Sequence, residues 1–148
     1  ESRGWVRARS TDPTSAPAIH TNFLSAPNDI RTIRDGVKIL RKVFSQTDFD
    51  PLRGDEKTPG PEVTTDDELD AWIRGTAETI YHPVGTCKMG IDDLAVVDPQ
   101  LRVRGVEGLR VADASVMPTL VGGNTNAPSI MIGEKASDLI LGKPVLAA

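Results

Sequence analysis

Apolar positions in the first half of the chain alternate in two short segments and then recur at helical spacing. Residues 5–10 and 18–24 are predicted to be extended. An apolar stripe predicts an amphipathic helix over 28–46, with capping side chains where it begins. The opposite face of this helix is charged, and we expect it to be solvated: Arg31, Arg34, Asp35, Lys38, Arg41 and Lys42.

A second helix follows a charged, turn-rich stretch over 48–61, which is predicted to be a surface loop. The sequence Thr-Thr-Asp-Asp-Glu over 64–68 resembles a capping box, which is typical of a helix start. The residues after it form one apolar stripe, and a glycine weakens the end of the helix: Leu69, Trp72, Ile73 and then Gly75. The first half is therefore predicted to contain two extended segments and two helices.

The second half of the chain has no regular period until near its end. Residues 80–90 mix small, polar and aromatic side chains. After a loop over 122–128, the spacing predicts a last helix over 129–141, which Gly142 ends. Between these segments, short strands are predicted at apolar runs separated by glycines: 96–99, 101–104 and 109–112.

Composition and charge narrow the classes of function. The 148 residues are 39% hydrophobic and 26% charged, which suits one ordinary folded domain. A net charge of -4 with no basic run argues against nucleic acid and anionic membranes as partners. No apolar stretch approaches the roughly 20 residues that span a bilayer. The single cysteine, Cys87, excludes an internal disulfide and gives no indication of compartment.

His82 is the first residue that could carry chemistry. Because it precedes Pro83, it is expected at the end of an extended segment, in a loop whose glycine lets a ligand approach the backbone. It is either an acid–base residue or a structural histidine at a strand end. Cys87 could be a nucleophile paired with His82, but a buried small hydrophobic residue is the favoured interpretation. No metal site is predicted, because His20 and His82 are far apart and lack carboxylates at ligand spacing.

The sequence Asn124-Thr125-Asn126 directly precedes the last predicted helix and is the second candidate. These side chains could simply cap the helix, since asparagine is a good N-cap residue. The same position also offers amide donors beside a positive helix end, which suits a developing negative charge. Both interpretations stay open from this segment alone.

Four segments in a fixed order decide between these interpretations: His82–Gly90 (HPVGTCKMG), Val97–Val103 (VDPQLRV), Gly108–Pro118 (GLRVADASVMP) and Gly123–Pro128 (GNTNAP). Together they resemble the C-terminal region of the glucose-methanol-choline (GMC) family of FAD-dependent oxidoreductases. The resemblance covers essentially the whole chain.

The resemblance implies an α+β fold that is the C-terminal part of a two-domain flavoenzyme. Residues 1–88 would belong to a substrate domain with an antiparallel sheet, and 89–148 would return to the FAD-binding domain as a final strand and a helix. The family's glycine fingerprint for FAD, G-x-G-x-x-G, does not occur in this sequence. We therefore expect the partner to be an N-terminal FAD-binding segment of the same enzyme, present as a separate chain after nicking or processing.

The resemblance also implies roles for individual residues. In such enzymes a histidine takes the hydroxyl proton of an alcohol while the carbinol carbon passes hydride to flavin N5, which yields an aldehyde. His82 matches that histidine, and Asn124 matches the second position, which hydrogen-bonds the substrate oxygen. Four further residues match positions that bind the cofactor: Asp113, Ala114, Thr125 and Asn126. Three match positions on the substrate side: Val84, Gly85 and Thr86.

The function implied by the resemblance is therefore FAD-dependent oxidation of a small primary alcohol by a dehydrogenase or an oxidase. Two alternatives stay open at this point. The chain could be a non-catalytic interaction module of the same fold, or the scaffold could serve a hydroxynitrile lyase in which the flavin is passive. Bound flavin would argue against the non-catalytic module, and cyanide release without flavin bleaching would identify the lyase.

Overall fold

The structure is a computed structural model that describes residues 1–144, and the chain divides into two units, Glu1–Glu78 and Thr79–Ala148. Each unit has its own buried apolar residues. The assignment of 1–88 to a substrate domain and of 89–148 to an FAD-binding domain stays a prediction.

The first unit opens with two antiparallel strands, β1 (Trp5–Arg7) and β2 (Ala18–His20), in which Trp5 lies opposite His20. Both strands are shorter than the predicted extended segments. β2 ends at His20 because Asn22 and Leu24 adopt φ angles of 53° and 55°, which a pleated strand does not accommodate.

Two helices complete the first unit, α1 (Pro27–Phe44) and α2 (Asp66–Thr76), and they pack against each other. Both predicted helices are thus confirmed. Their contact excludes water from three apolar side chains, which carry the hydrophobic stabilisation of this unit: Ile30, Leu69 and Ile73.

The starts of the two helices differ from each other. The capping box of α2 is confirmed, because the Glu68 amide donates to Thr65 Oγ1 (3.3 Å) and the Thr65 amide donates to Glu68 Oε2 (2.9 Å). The predicted side-chain cap of α1 is wrong. Its N-cap is Ala26, which has no side-chain oxygen, and Pro27 takes a position at which no backbone donor is needed.

The sequence predicted that the charged face of α1 is solvated, but two of its cations, Arg34 and Lys38, are paired with carboxylates. Arg34 donates to Asp70 (2.9 Å) and is only 17% exposed, and Lys38 donates to Asp66 (2.5 Å). The acidic start of α2 faces α1, so these cations form ion pairs between the helices.

Arg41 organises the loop that the sequence predicted over 48–61. Its guanidinium donates to the Glu56 carboxylate (2.7 Å) and to the carbonyls of Gly60 (2.9 Å) and Val63 (2.8 Å). The loop is therefore fastened to α1 through backbone acceptors, and Arg41 is half-buried rather than solvated.

The second unit has a core of Val97, Leu101, Val116, Met117, Ile132 and Ala136. The three predicted short strands around this core occur only as isolated bridges, which pair Met89 with Val97, Val97 with Val103, and Arg102 with Arg110. Regular strands are absent there among residues 79–144, because Leu101 has a φ of 64° and tight turns interrupt each run.

The last helix, α3 (Asn126–Ile140), begins three residues before its predicted start at Ser129. Pro128 lies in the first turn, where its missing amide leaves no hydrogen bond broken. After the helix Gly142 adopts a φ of 65°, and the Lys143 amide donates to the Asp138 carbonyl (2.9 Å), which completes a Schellman cap.

The antiparallel pair and the three helices agree with the predicted α+β class. Within residues 1–144, no helix combines the length and the apolar character needed to cross a bilayer. In the same described range, no three His, Cys, Asp or Glu side chains are grouped so that they could hold a metal ion.

Candidate active site

His82 lies in an irregular segment at the beginning of the second unit. Its side chain is half-buried, and its Nδ1 atom is buried without a hydrogen-bond partner among the described residues. A buried, unpaired ring nitrogen is unusual, because most buried polar atoms find a partner. The structural and the acid–base interpretations of His82 both stay predictions, and the unpaired Nδ1 is the feature that each must explain.

Tyr81 directly precedes His82 and was not singled out from the sequence. Its φ is 62°, its side chain is 81% exposed, and its amide donates to Thr79 Oγ1 (3.0 Å). Such a φ is an outlier for a bulky residue, and outliers of this kind concentrate at functional sites. No sequence signal could have predicted it, since tyrosine is not a residue that favours the left-handed region.

The segment after His82 is attached to the residues that follow the predicted strand over 109–112. The amides of Cys87 and Met89 donate to the carbonyls of Ser115 (3.0 Å) and Val116 (2.8 Å). Gly85 has a φ of 85°, and a Cβ atom added there would lie 3.2 Å from the Met117 carbonyl oxygen. Two of the four sequence motifs, the one around His82 and the one around Asp113, are thus brought together.

The predicted substrate-side residues face different surroundings. Val84 is half-buried and packs against the core of the second unit, whereas Thr86 is exposed. Gly85 lies against the backbone of Met117, as described above. Cys87 is half-buried, and no hydrogen bond among the described residues joins it to His82.

Asp113 and Ala114 begin a short 3-10 turn, Ala114–Val116. The Asp113 carboxylate accepts a hydrogen bond from the Ser115 amide (2.7 Å), so it caps this turn. Asp113 is exposed and Ala114 is half-buried. The turn-forming role that the sequence suggested for Asp113 is therefore present.

The segment 124–126 forms the start of α3. Asn124 is exposed, and its Oδ1 atom accepts a hydrogen bond from the Asn126 amide (2.9 Å). Thr125 is the N-cap, but its side chain makes no capping hydrogen bond. The oxygen of the Asn124 amide thus accepts one hydrogen bond, and its Nδ2 group is a donor with no partner among the described residues. No hydrogen bond among the described residues links Asn124 to His82.

The start of α3 also offers unused backbone donors. The Ala127 amide makes no hydrogen bond within residues 1–144, and the adjacent Gly122 and Gly123 have open space where a side chain would lie. Free amides and the positive end of a helix attract anionic groups. This part of the second unit therefore has the properties of one wall of a site for an anionic cofactor.

Two carboxylates outside the predicted site residues hold turns of the backbone in the second unit. The pKa of Asp98 is lowered chiefly by the hydrogen bond from the Arg102 amide, with a further one from Gln100. The pKa of Asp92 is lowered chiefly by its hydrogen bond with Lys88 (2.7 Å). Both groups stabilise turns and are ionised at neutral pH, so neither is a candidate acid or base.

These features agree with the known proteins to which the chain is similar. A sequence model described as GMC oxidoreductase matches residues 1–133. The chain is 56% identical, over 99% of its length, to the oxygen-dependent choline dehydrogenase of Rhizobium rhizogenes, and 52% identical over 98% to that of Escherichia coli O45:K1. It spans 27% and 26% of these curated relatives, or about a quarter of their length.

Solved structures give the same result. Pyridoxine 4-oxidase from Mesorbium loti superimposes with a TM-score of 0.89 at 30% identity, over 97% of this chain and 28% of that one. An FAD-dependent oxidoreductase from Chaetomium thermophilum does so with a TM-score of 0.88 at 32% identity, over 94% and 24%. The class defined by the fold is that of the flavin-dependent oxidoreductases.

The chain belongs to the GMC oxidoreductase family, and it corresponds to the C-terminal region of that family. FAD is the cofactor that accompanies this family membership. The residues fit the group, because the start of α3 supplies the free Ala127 amide and a positive helix end. Asp113, Ala114, Thr125 and Asn126 stay predicted contacts of FAD.

Proposed function

We propose that this chain forms the catalytic C-terminal portion of an enzyme that oxidises a primary alcohol to an aldehyde. In this proposal His82 takes the hydroxyl proton and Asn124 hydrogen-bonds the same oxygen. When bound, FAD supplies the two-electron acceptor for the alcohol carbon.

The observation that carries the proposal is the hydrogen-bond state of Asn124. Its Oδ1 atom accepts the Asn126 amide at 2.9 Å, which orients the side chain, and its Nδ2 group is the donor that we assign to the substrate oxygen. A donor stabilises an oxygen that is losing its proton, and it does not compete for that proton. The base must therefore be a different residue, and His82 is the titratable side chain in the matching motif.

The burial of His82 Nδ1 supports a specific orientation of the imidazole ring. A nitrogen without solvent contact cannot exchange protons with a substrate, so the proton transfer is assigned to Nε2. Deprotonation converts the hydroxyl group into an alkoxide. The Asn124 amide stabilises this negative charge, and the positive end of α3 reinforces the effect.

We further propose choline as the substrate, because relatives more than half identical to this chain are named oxygen-dependent choline dehydrogenase. Choline is a primary alcohol with a quaternary ammonium group. The exposed ring of Tyr81 lies next to His82 in the chain and offers an aromatic face to that cation. Residues Val84, Gly85 and Thr86 are proposed on the substrate side of the same segment.

The proposed partner is an N-terminal segment of the same enzyme that carries the glycine fingerprint for FAD. Support comes from the curated relatives, which are about four times as long as this chain. The residues described above form only one wall of a cofactor site, so the other contacts would come from that segment.

The test is anaerobic mixing of the FAD-loaded protein with choline, followed by flavin absorbance. Bleaching by choline, with weak or no bleaching by benzyl alcohol, would support the proposal. Bleaching by benzyl alcohol alone would contradict choline as the substrate. A complex of this chain with the N-terminal segment that purifies without flavin would favour the non-catalytic module, and cyanide release from a cyanohydrin without bleaching would favour the lyase.

A further inference from the structure

The left-handed backbone of Tyr81 is held by one side chain of the same segment. The Tyr81 amide donates to Thr79 Oγ1 at 3.0 Å, and Tyr81 has a φ of 62°. Because such a φ is costly for a residue with a bulky side chain, it persists only where neighbouring groups enforce it. The Thr79 hydroxyl is the hydrogen-bond acceptor that the described residues provide to this amide.

The next residue in the chain is His82, whose ring lacks the usual means of orientation. Histidines that transfer protons are commonly oriented by a hydrogen bond to the second ring nitrogen. His82 Nδ1 has no such partner among residues 1–144. Without such a hydrogen bond within residues 1–144, the backbone on either side of His82 has a larger part in setting the direction of the imidazole.

That backbone is restricted on both sides. Pro83 keeps His82 out of the helical region, because a residue before proline is pushed toward extended angles. The turn between Thr79 and Tyr81 determines how the chain enters His82. If the turn relaxed, the peptide plane between Tyr81 and His82 would rotate and carry the imidazole with it.

We infer that Thr79 is a positioning residue for His82: its hydroxyl group fixes Tyr81 in the left-handed region and thereby aims the imidazole at the substrate hydroxyl. This inference rests on the proposed function, in which His82 is the base. It assigns to Thr79 no contact with substrate or cofactor.

The test compares Thr79→Val with Thr79→Ser in the FAD-loaded protein. Valine keeps the shape of threonine but cannot accept the hydrogen bond, whereas serine keeps the hydroxyl group. Thr119→Val is the matched control, because the Thr119 hydroxyl makes no hydrogen bond within residues 1–144. The readout is anaerobic flavin reduction by choline in a stopped-flow instrument, with His82→Ala and the Thr79→Val/His82→Ala double variant measured in parallel.

Thr79→Val is expected to slow flavin reduction about tenfold, which corresponds to about 1.4 kcal/mol in the barrier. Thr79→Ser and Thr119→Val are expected to react close to the parent rate. If Thr79 acts through His82, the double variant reacts no more slowly than His82→Ala alone. A crystal structure of Thr79→Val is expected to show Tyr81 with a negative φ.

The outcomes separate this inference from the function on which it rests. If His82→Ala slows reduction but Thr79→Val does not, the base is supported and the role of Thr79 is wrong. If Thr79→Ser is as slow as Thr79→Val, or Tyr81 keeps its φ in the valine variant, the hydroxyl group is not the cause. If His82→Ala itself reacts at the parent rate, the proposed base is wrong and the inference is overturned with it.

Discussion

At the level of single residues, the proposed chemistry depends on two side chains in different hydrogen-bonding states. His82 has a buried nitrogen without a partner among the described residues, and Asn124 has its oxygen occupied by the Asn126 amide. In the proposed function the imidazole of His82 accepts the proton, whereas the Asn124 amide is not a base and donates to the same oxygen. This difference in chemistry is the reason that the two proposed roles are not interchangeable.

We expect His82→Ala to retain FAD and to slow its reduction by about 10² to 10⁴-fold, since general-base catalysis contributes that much. Asn124→Ala is expected to cost less, roughly 10² to 10³-fold, which is typical of a lost donor to a developing oxyanion. His20→Ala is the control, because His20 lies in β2 of the first unit. Stopped-flow reduction by choline measures all three. Parent-like reduction in His82→Ala would contradict the assignment of the base.

The glycine at position 85 allows a prediction with an internal control. An alanine there would be strained by the φ of 85° and would also bring its Cβ atom to 3.2 Å from the Met117 carbonyl oxygen. Gly105 has a similar φ of 77° but open space around it. Both substitutions to alanine should therefore destabilise the protein by about 1 kcal/mol through the backbone.

Only Gly85→Ala should also displace the segment after His82 and slow flavin reduction. Chemical denaturation measures the stability cost, and stopped-flow measures the rate. Equal rates for Gly85→Ala and Gly105→Ala would show that the close approach to Met117 has no influence on the site.

Among the helices, α2 has the start that is most strongly determined by its sequence. Thr65→Ala removes the side chain that accepts the Glu68 amide, and we expect a loss of about 1 kcal/mol in the free energy of unfolding. Thr64→Ala is the comparison and should cost less, because the Thr64 amide that donates to Glu68 survives the substitution and the Thr64 side chain contributes least to Glu68. Urea denaturation of both variants checks the difference, and an equal loss in the two would contradict the capping role.

The same cap gives a pH dependence with a defined sign. Hydrogen bonds from the amides of Thr65 and Thr64 hold the pKa of Glu68 below its usual range. Because the folded-state pKa is the lower one, the contribution to stability is complete above about pH 4.3, where an unfolded glutamate ionises. It is lost as the pH falls through the folded-state pKa. Glu68→Gln should flatten the stability curve below about pH 4.3.

The helices also show which parts of the fold could be predicted from the sequence. α1 and α2 were predicted because each has one apolar stripe and a polar remainder. In α3 the apolar residues surround the axis, so periodicity could not select the face that meets the core. Ile132 and Ala136 are buried, whereas Ile130, Met131 and Ile140 are exposed although they are just as apolar.

The candidate site was predictable only in part, for a physical reason. His82 and Asn124 stand in motifs whose order along the chain indicates a family. The left-handed Tyr81 depends on a hydrogen bond to Thr79, and neither residue type signals such a turn. Likewise, the short runs around Val97 and Leu101 have the composition of strands, but turns between them limit the pairing to single bridges.

The exposed apolar side chains of the second unit bear on how the whole protein assembles. Several apolar side chains of α3 and the residue after it face solvent, including Ile130 (60% exposed), Met131 (58%) and Leu141 (65%). Exposed apolar residues grouped on one element mark a surface that a partner covers. In the proposed function that partner is the N-terminal FAD-binding segment of the same enzyme.

We therefore expect this chain, when it is expressed alone, to bind the dye anilinonaphthalene sulfonate and to retain no flavin. Co-expression with the N-terminal segment should suppress dye binding and yield a yellow complex, because burial of the apolar face of α3 drives the assembly. Met131→Glu should weaken the complex by placing a charge on this face. Asp93→Lys is the control, since Asp93 is an exposed acidic residue of the second unit outside α3. Size-exclusion chromatography with flavin absorbance measures both variants. A chain that alone is monomeric, unfolds cooperatively and binds no dye would contradict the proposed partner.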